Sequence, residues 1–189
     1  EMREAVGHAV RAQYLYCAMA DLARIDEDEE LKTACKAIFN DIATKKMYIT
    51  GGVGSGILGE CFTEEYDLPN QFAYSESCAG IGLALLCRRM NLIDVNSIYD
   101  DVAERVIYNN VFASCSISGR EFFYTNPLEI NLKERRLTQK YRMENQNYPA
   151  TERQALFDCS CCPPNFARFI ESFGDFLYTQ DDDTIYIHH

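Results

Sequence analysis

Apolar side chains recur at helical spacing over residues 2–24, where Val6, Val10, Tyr14, Cys17, Ala18 and Leu22 share one stripe; the spacing predicts a long helix. A second helix is expected over 28–46, with Leu31, Ala34, Cys35, Ile38, Phe39 and Ile42 inward. The acidic run from Asp26 to Glu30 suits its positive N-terminal end. A third is expected over Ala79–Met90, where Gly80 and Gly82 suggest tight packing near its start. A fourth is expected over 97–115, with Ile98, Val102, Val106, Ile107 and Val111 inward and Asp100, Asp101 and Glu104 outward. A fifth spans about 164–178. Between them lie a turn at Ser118-Gly119-Arg120, a short aromatic strand over Glu121–Thr125 and a long polar loop over 126–156. After a turn at Asp181–Asp183, Thr184–Ile187 begins another strand. The pattern predicts a mainly α fold of antiparallel helices with short β excursions.

Composition narrows the function. The 189 residues are 47% hydrophobic and 25% charged, ordinary for a globular chain. A net charge of −11 argues against nucleic acid and anionic membranes as partners. No stretch is long and apolar enough to span a bilayer. Nine cysteines, an odd number without the spacing of a secreted scaffold, point to a reducing, cytoplasmic compartment. The chain opens inside a helical pattern without an initiator methionine, so the true N-terminus is expected to lie upstream.

Two stretches carry candidate chemistry. The first is Cys159-Ser160-Cys161-Cys162-Pro163-Pro164-Asn165, with three thiols just before a proline-started helix. Proline pushes Cys162 away from the α region, and the helix N-terminus favours thiolate over thiol. An isolated cysteine usually only packs, but adjacent Cys161 and Cys162 point in different directions and suit one metal ion or one active site. The second stretch holds Glu60, Glu76 and Cys78. Glu76 and Cys78 can face one ion only if residues 74–78 are irregular or lead into a helix. Glu76, Cys78, Cys161 and Cys162 together form a donor set suited to zinc, with Cys159 and Cys61 as rival ligands. The glycine-rich loop at 50–59 lacks the lysine and preceding strand of a phosphate loop. It is better read as a backbone that lets a ligand lie near Glu60. His8 and Arg11, three apart, are either a surface pair or a polar pair lining a pocket.

Several ordered strings resemble glycoside hydrolase family 127, the β-L-arabinofuranosidase family. They are Tyr48-Ile49-Thr50-Gly51-Gly52, Gly59-Glu60, Tyr66-Asp67-Leu68-Pro69-Asn70, Tyr74-Ser75-Glu76-Ser77-Cys78-Ala79, Tyr108-Asn109-Asn110, Phe123-Tyr124-Thr125-Asn126-Pro127-Leu128-Glu129 and the cysteine stretch itself. The resemblance implies part of an (α/α)6 barrel. Residues 1–180 would form the second half of its catalytic domain, and 181–189 the start of a following β region. It implies a retaining hydrolase with a zinc ion (Zn2+) on Glu76, Cys78, Cys161 and Cys162. Cys161 would be the nucleophile, Glu60 the acid/base, and His8 and Tyr124 substrate contacts. The implied substrate is an arabinose-containing oligosaccharide or glycoconjugate. Half a barrel leaves apolar helix faces uncovered, so either a homo-oligomer or a missing N-terminal half is expected to complete it.

Two other readings stand beside this one. Four protein ligands on metal rules alone describe a structural zinc clip, in a non-catalytic carbohydrate-binding helical piece. Alternatively, Cys159, Cys161 and Cys162 form a redox switch. The discriminating geometry is whether Glu60 faces Cys161 across a cleft with room for a sugar ring.

Overall fold

Helices form where alternating faces can be buried, and in this chain they bury mainly against one another. The computed structural model describes residues 2–131 and 150–188. Its elements are α1 (Ala9–Ile25), α2 (Glu29–Asp41), α3 (Ser77–Ile93), α4 (Ser97–Val106), a short α5 (Phe112–Ser114), α6 (Cys162–Glu171), and strands β1 (Tyr178–Gln180) and β2 (Ile185–Ile187). Both α2 and α4 widen into a single π-helical stretch at their C-termini, over Ile42–Lys46 and Ile107–Val111. The fold is mainly helical with few strands, as part of an α/α barrel requires. Among the described residues no helix is long and apolar enough to cross a membrane.

Helix α3 is the centre. Ile81, Leu83, Leu86, Cys87 and Met90 are almost wholly buried, and α1, α4 and α6 all pack on it. The expected stripe on α1 is wrong. Val6 and Leu22 are half exposed, while the buried line is Ala9, Ala12, Gln13, Tyr16, Cys17, Ala20 and Ala23. The reason is close approach: a Cβ added at Gly82 of α3 would lie 2.7 Å from Gln13 Cβ. Gln13 and Cys17 therefore sit directly against α3, while Val6 and Leu22 stay half exposed. The helix also starts later than its pattern suggests. Gly7 is left-handed at φ +79, and Ala9 N donates to Glu60 O at 2.8 Å, so the chain before residue 9 is tied to a neighbouring segment instead.

Elsewhere the differences are local. α2 buries Ala34, Cys35, Ile38 and Phe39 as expected, and Asp28 caps it by accepting from Leu31 N at 3.0 Å. On α4, Val102, Val106, Ile107 and Val111 are buried, but Ile98 is exposed. The aromatic stretch at 121–125 is not a strand: Phe122 bridges Cys115 and Gln154, and Thr125 bridges Glu76. Those isolated bridges spread its backbone pairing over three different neighbours. Of the loop expected over 126–156, residues 132–149 lie outside the described residues; the described parts are irregular. Cys162 is helical, as the first residue of α6, despite the proline after it. The predicted fifth helix ends early at Glu171, followed by a 3-10 turn over Phe173–Phe176. β1 then pairs antiparallel with β2, so this hairpin straddles residue 180.

A candidate metal and acid/base site

Two helix starts meet at the site. Glu76 is extended and immediately precedes α3, with Cys78 in the first turn; Cys161 immediately precedes α6, with Cys162 as its first residue. The stretch before α3 is thus the irregular lead-in that a shared ion demands. Thr125 bridges Glu76, and Ser77 N donates to Tyr124 O at 2.9 Å, which brings Tyr124 alongside. On the other side α6 is tied to α1, where Tyr14 OH donates to Asn165 Oδ1 at 3.0 Å.

One donor atom each from Glu76, Cys78, Cys161 and Cys162 lies within 4.8 Å of the others. Cys78 Sγ and Cys162 Sγ are 3.5 Å apart, and Cys161 Sγ and Cys162 Sγ 3.7 Å. Glu76 Oε1 is 3.4 Å from Cys161 Sγ and 3.8 Å from Cys162 Sγ. A tetrahedral ion with Zn–S bonds of about 2.3 Å requires sulfur atoms about 3.8 Å apart, so the four donors fit zinc. Among the described residues Glu76 Oε2 is buried without a hydrogen-bond partner, a further sign that this carboxylate is arranged for a cation. Cys159 is exposed at the rim, and Cys61 is half-buried directly after Glu60; neither joins the four.

The electrostatics follow from this crowding. Hydrogen bonds from the Cys162 and Cys78 thiols, and from Tyr124, hold Cys161 well below the usual thiol range. Cys162 and Cys78 are pushed up in return, chiefly by their bonds to the Cys161 sulfur. Burial, then the neighbouring charge of Cys161, pushes the Glu76 carboxyl up to about 9. Cys161 is half-buried, whereas Glu76, Cys78 and Cys162 are buried.

Glu60 stands on the same cleft. The cleft has a volume of about 420 Å³, within the usual range for small-ligand sites, and is lined by His8, Arg11, Glu60, Glu76, Tyr124 and Cys161 among others. Tyr74 OH donates to Glu60 Oε1 at 2.7 Å, and His8 Nε2 lies 3.1 Å from Glu60 Oε2. His8 and Glu60 are brought together because His8 bridges Cys61, with Phe62 N donating to Gly7 O at 2.9 Å. Glu60 itself is left-handed at φ +50, directly after Gly59 at φ +76. Tyr124 OH lies 3.4 Å from Cys161 Sγ, with its ring edge-on to Tyr74 and Phe157. Burial, then the Glu76 charge, raises the Tyr124 phenol, so it remains a donor. Six of the seven predicted residues thus line one cleft, and the seventh, Cys162, is buried behind Cys161. Tyr74 was not assigned a part in the site from the sequence. The available signal was its place two residues before Glu76, in the irregular lead-in to α3.

Known proteins resemble this chain in sequence and fold. The family profile for β-L-arabinofuranosidase, GH127 catalytic domain, matches residues 1–175. The chain is 34% identical over 184 residues to the non-reducing end β-L-arabinofuranosidase of Bifidobacterium longum subsp. longum, covering 96% of this chain and 27% of that protein. It superposes with a TM-score of 0.90 and 44% identity on the crystal structure of a GH127 β-L-arabinofuranosidase from Geobacillus stearothermophilus T6, covering all of this chain and 29% of that one. A second GH127 β-arabinofuranosidase structure gives a TM-score of 0.88 at 39% identity, covering 27% of its chain. The chain thus spans between a quarter and a third of the length of these relatives. Its fold and sequence place it among the helical catalytic domains of glycoside hydrolases. The chain belongs to glycoside hydrolase family 127.

Proposed function

We propose that this chain carries the active site of a retaining β-L-arabinofuranosidase, as part of a larger catalytic domain. The observation that carries the reading is the convergence of the four-donor cluster and Glu60 on one cleft. The relatives are named for cleavage of β-arabinofuranosides, and a cleft of this size suits a sugar ring.

In the first step the Cys161 thiolate attacks the anomeric carbon. Glu60 donates its proton to the departing glycosidic oxygen, and a thioglycoside on Cys161 results. In the second step Glu60, now a carboxylate, takes a proton from water. That water displaces the Cys161 sulfur and restores the starting configuration. Tyr74 and His8 hold the two Glu60 oxygens in place through both steps. Tyr124 faces the Cys161 sulfur and steadies it as a thiolate. His8 and Tyr124 also line the cleft where the sugar would lie. Glu76, Cys78, Cys161 and Cys162 would hold the zinc ion, which when bound keeps the thiols deprotonated and makes sulfur a better leaving group.

A purely structural clip is the rival reading. Two features disfavour it: Cys161 opens onto the cleft, whereas a structural site is closed, and Glu60 shares that cleft. The reading also carries a reducing, cytoplasmic setting, since the ligands must remain thiols; all nine cysteines are free. The test is to assay the full-length protein on synthetic β-L-arabinofuranosides against other glycosides, with metal analysis. Turnover restricted to β-L-arabinofuranosides, with about one zinc per chain, is the expected result. Selective turnover of another glycoside overturns the substrate, and a metal-free active enzyme overturns the zinc assignment.

A further inference from the structure

Tyr108-Asn109-Asn110 has no part in the cleft, yet Asn110 is wholly buried. It lies in the π-helical stretch Ile107–Val111, and such stretches often occur at functional sites. Its Nδ2 donates to Ser75 Oγ at 3.1 Å. Two glycines leave the space for this pair. A Cβ at Gly80 of α3 would clash with Asn110 Oδ1, and one at Gly52 would clash with Ser75 Oγ and lie 2.9 Å from Asn110 Nδ2.

Ser75 is the residue that this amide holds. It is wholly buried and left-handed at φ +43, a conformation that a non-glycine residue keeps only when its surroundings impose it. Its backbone is held too: Ser75 N donates to Gly54 O at 2.8 Å, and Asn126 Nδ2 donates to Ser75 O at 2.9 Å. Ser75 separates Tyr74, whose hydroxyl holds Glu60, from Glu76, which joins the thiols. The backbone angle at this one residue therefore sets both halves of the site.

We infer that Asn110 is a positioning residue: through Ser75 it fixes the direction of the chain into Glu76 and so the affinity of the site for its ion. The inference rests on the zinc reading given above. It is tested in the full-length protein by chelator competition for zinc, by the absorption spectrum of the cobalt-substituted protein, and by thermal melting. Asn110→Ala is expected to weaken zinc binding about ten- to a hundredfold, as loss of a residue supporting a ligand typically does, and to alter the cobalt spectrum. Adding Ser75→Gly should recover most of that loss, because glycine adopts positive φ unaided. Rescue of this kind distinguishes positioning from general destabilisation. A lowered melting temperature with unchanged zinc affinity and cobalt spectrum overturns the inference, as does failure of Ser75→Gly to restore binding. If Asn110→Ala does not fold, Ser75→Ala removes the same hydrogen bond, and unchanged affinity there overturns it equally. A wild-type protein that binds no zinc removes the metal reading and this inference with it. Wild type and variants binding equally tightly remove the inference alone.

Discussion

Replacing Glu60 by glutamine separates proton transfer from shape. The side chain keeps its length, and its carbonyl can still accept from Tyr74 OH, which now donates at 2.7 Å. The amide nitrogen would face His8 Nε2, 3.1 Å from the present Oε2, and can donate to it in the tautomer with a free lone pair there. The cleft and the four-donor cluster therefore persist, and what is lost is the transferable proton. A positioned general acid/base is worth about two to four powers of ten, or roughly 3–5 kcal/mol of barrier. The loss should depend on the leaving group. With an alkyl β-L-arabinofuranoside the departing oxygen needs the proton, and the full loss is expected in kcat/KM. With a nitrophenyl glycoside the leaving group departs as a stable anion, so kcat/KM should fall much less. Its kcat should still drop, because Glu60 is needed to activate water in the second step. Steady-state kinetics on both substrates, with zinc content measured alongside, make the comparison. Equal losses in kcat/KM on the two substrates, at full zinc occupancy, would refute the acid role; so would retention of normal turnover.

Other perturbations test the remaining parts. Cys161→Ser should abolish turnover even where the protein folds, and normal activity in the variant would remove the nucleophile assignment. Cys78→Ala removes a ligand without touching the Glu60 pair, so zinc should be lost on dialysis; metal analysis showing full retention contradicts the cluster. Zinc affinity should rise with pH. Burial holds the Glu76 carboxyl up to about 9 in the metal-free site, so an ion must displace that proton, and the displacement becomes easier as pH increases. Chelator competition at pH 6 and 8 measures it, and equal affinities would count against a Glu76 ligand. The same raised carboxyl has a linkage sign. Below its ordinary value of 4.5 it is neutral both folded and unfolded; between there and about 9 the fold binds the extra proton, so metal-free stability should fall as pH rises. Denaturant midpoints of the metal-free protein across that window check the direction.

Much of this fold was readable because helix periodicity is a long-range average. The second helix follows it closely, and so does α4 apart from Ile98. It misled at α1, where Val6 and Leu22 are half exposed and four of the seven buried residues are alanines, which a pattern read by hydrophobicity undervalues. The irregular lead-in to α3 was legible from the spacing of Glu76 and Cys78. Resemblance, not spacing, singled out Cys161 and Cys162 over Cys159. The structure gives a physical reason: α6 begins at Cys162, which turns that pair toward Glu76 and leaves Cys159 at the rim. The Tyr74–Glu60 and Asn110–Ser75 pairs could not be read locally. Each joins segments whose relation is fixed only by the assembled core.

The separation of Cys78 and Cys162, 84 positions, has a kinetic consequence. Closing so long a loop is entropically costly, and contacts of this range form late in folding. During synthesis, Glu76 and Cys78 leave the ribosome well before their partner thiols exist. An early ion could find only half a coordination shell on them. On the zinc reading proposed above, tight capture of the ion would become possible only once α6 has docked on α3, and metal occupancy would record that folding has finished.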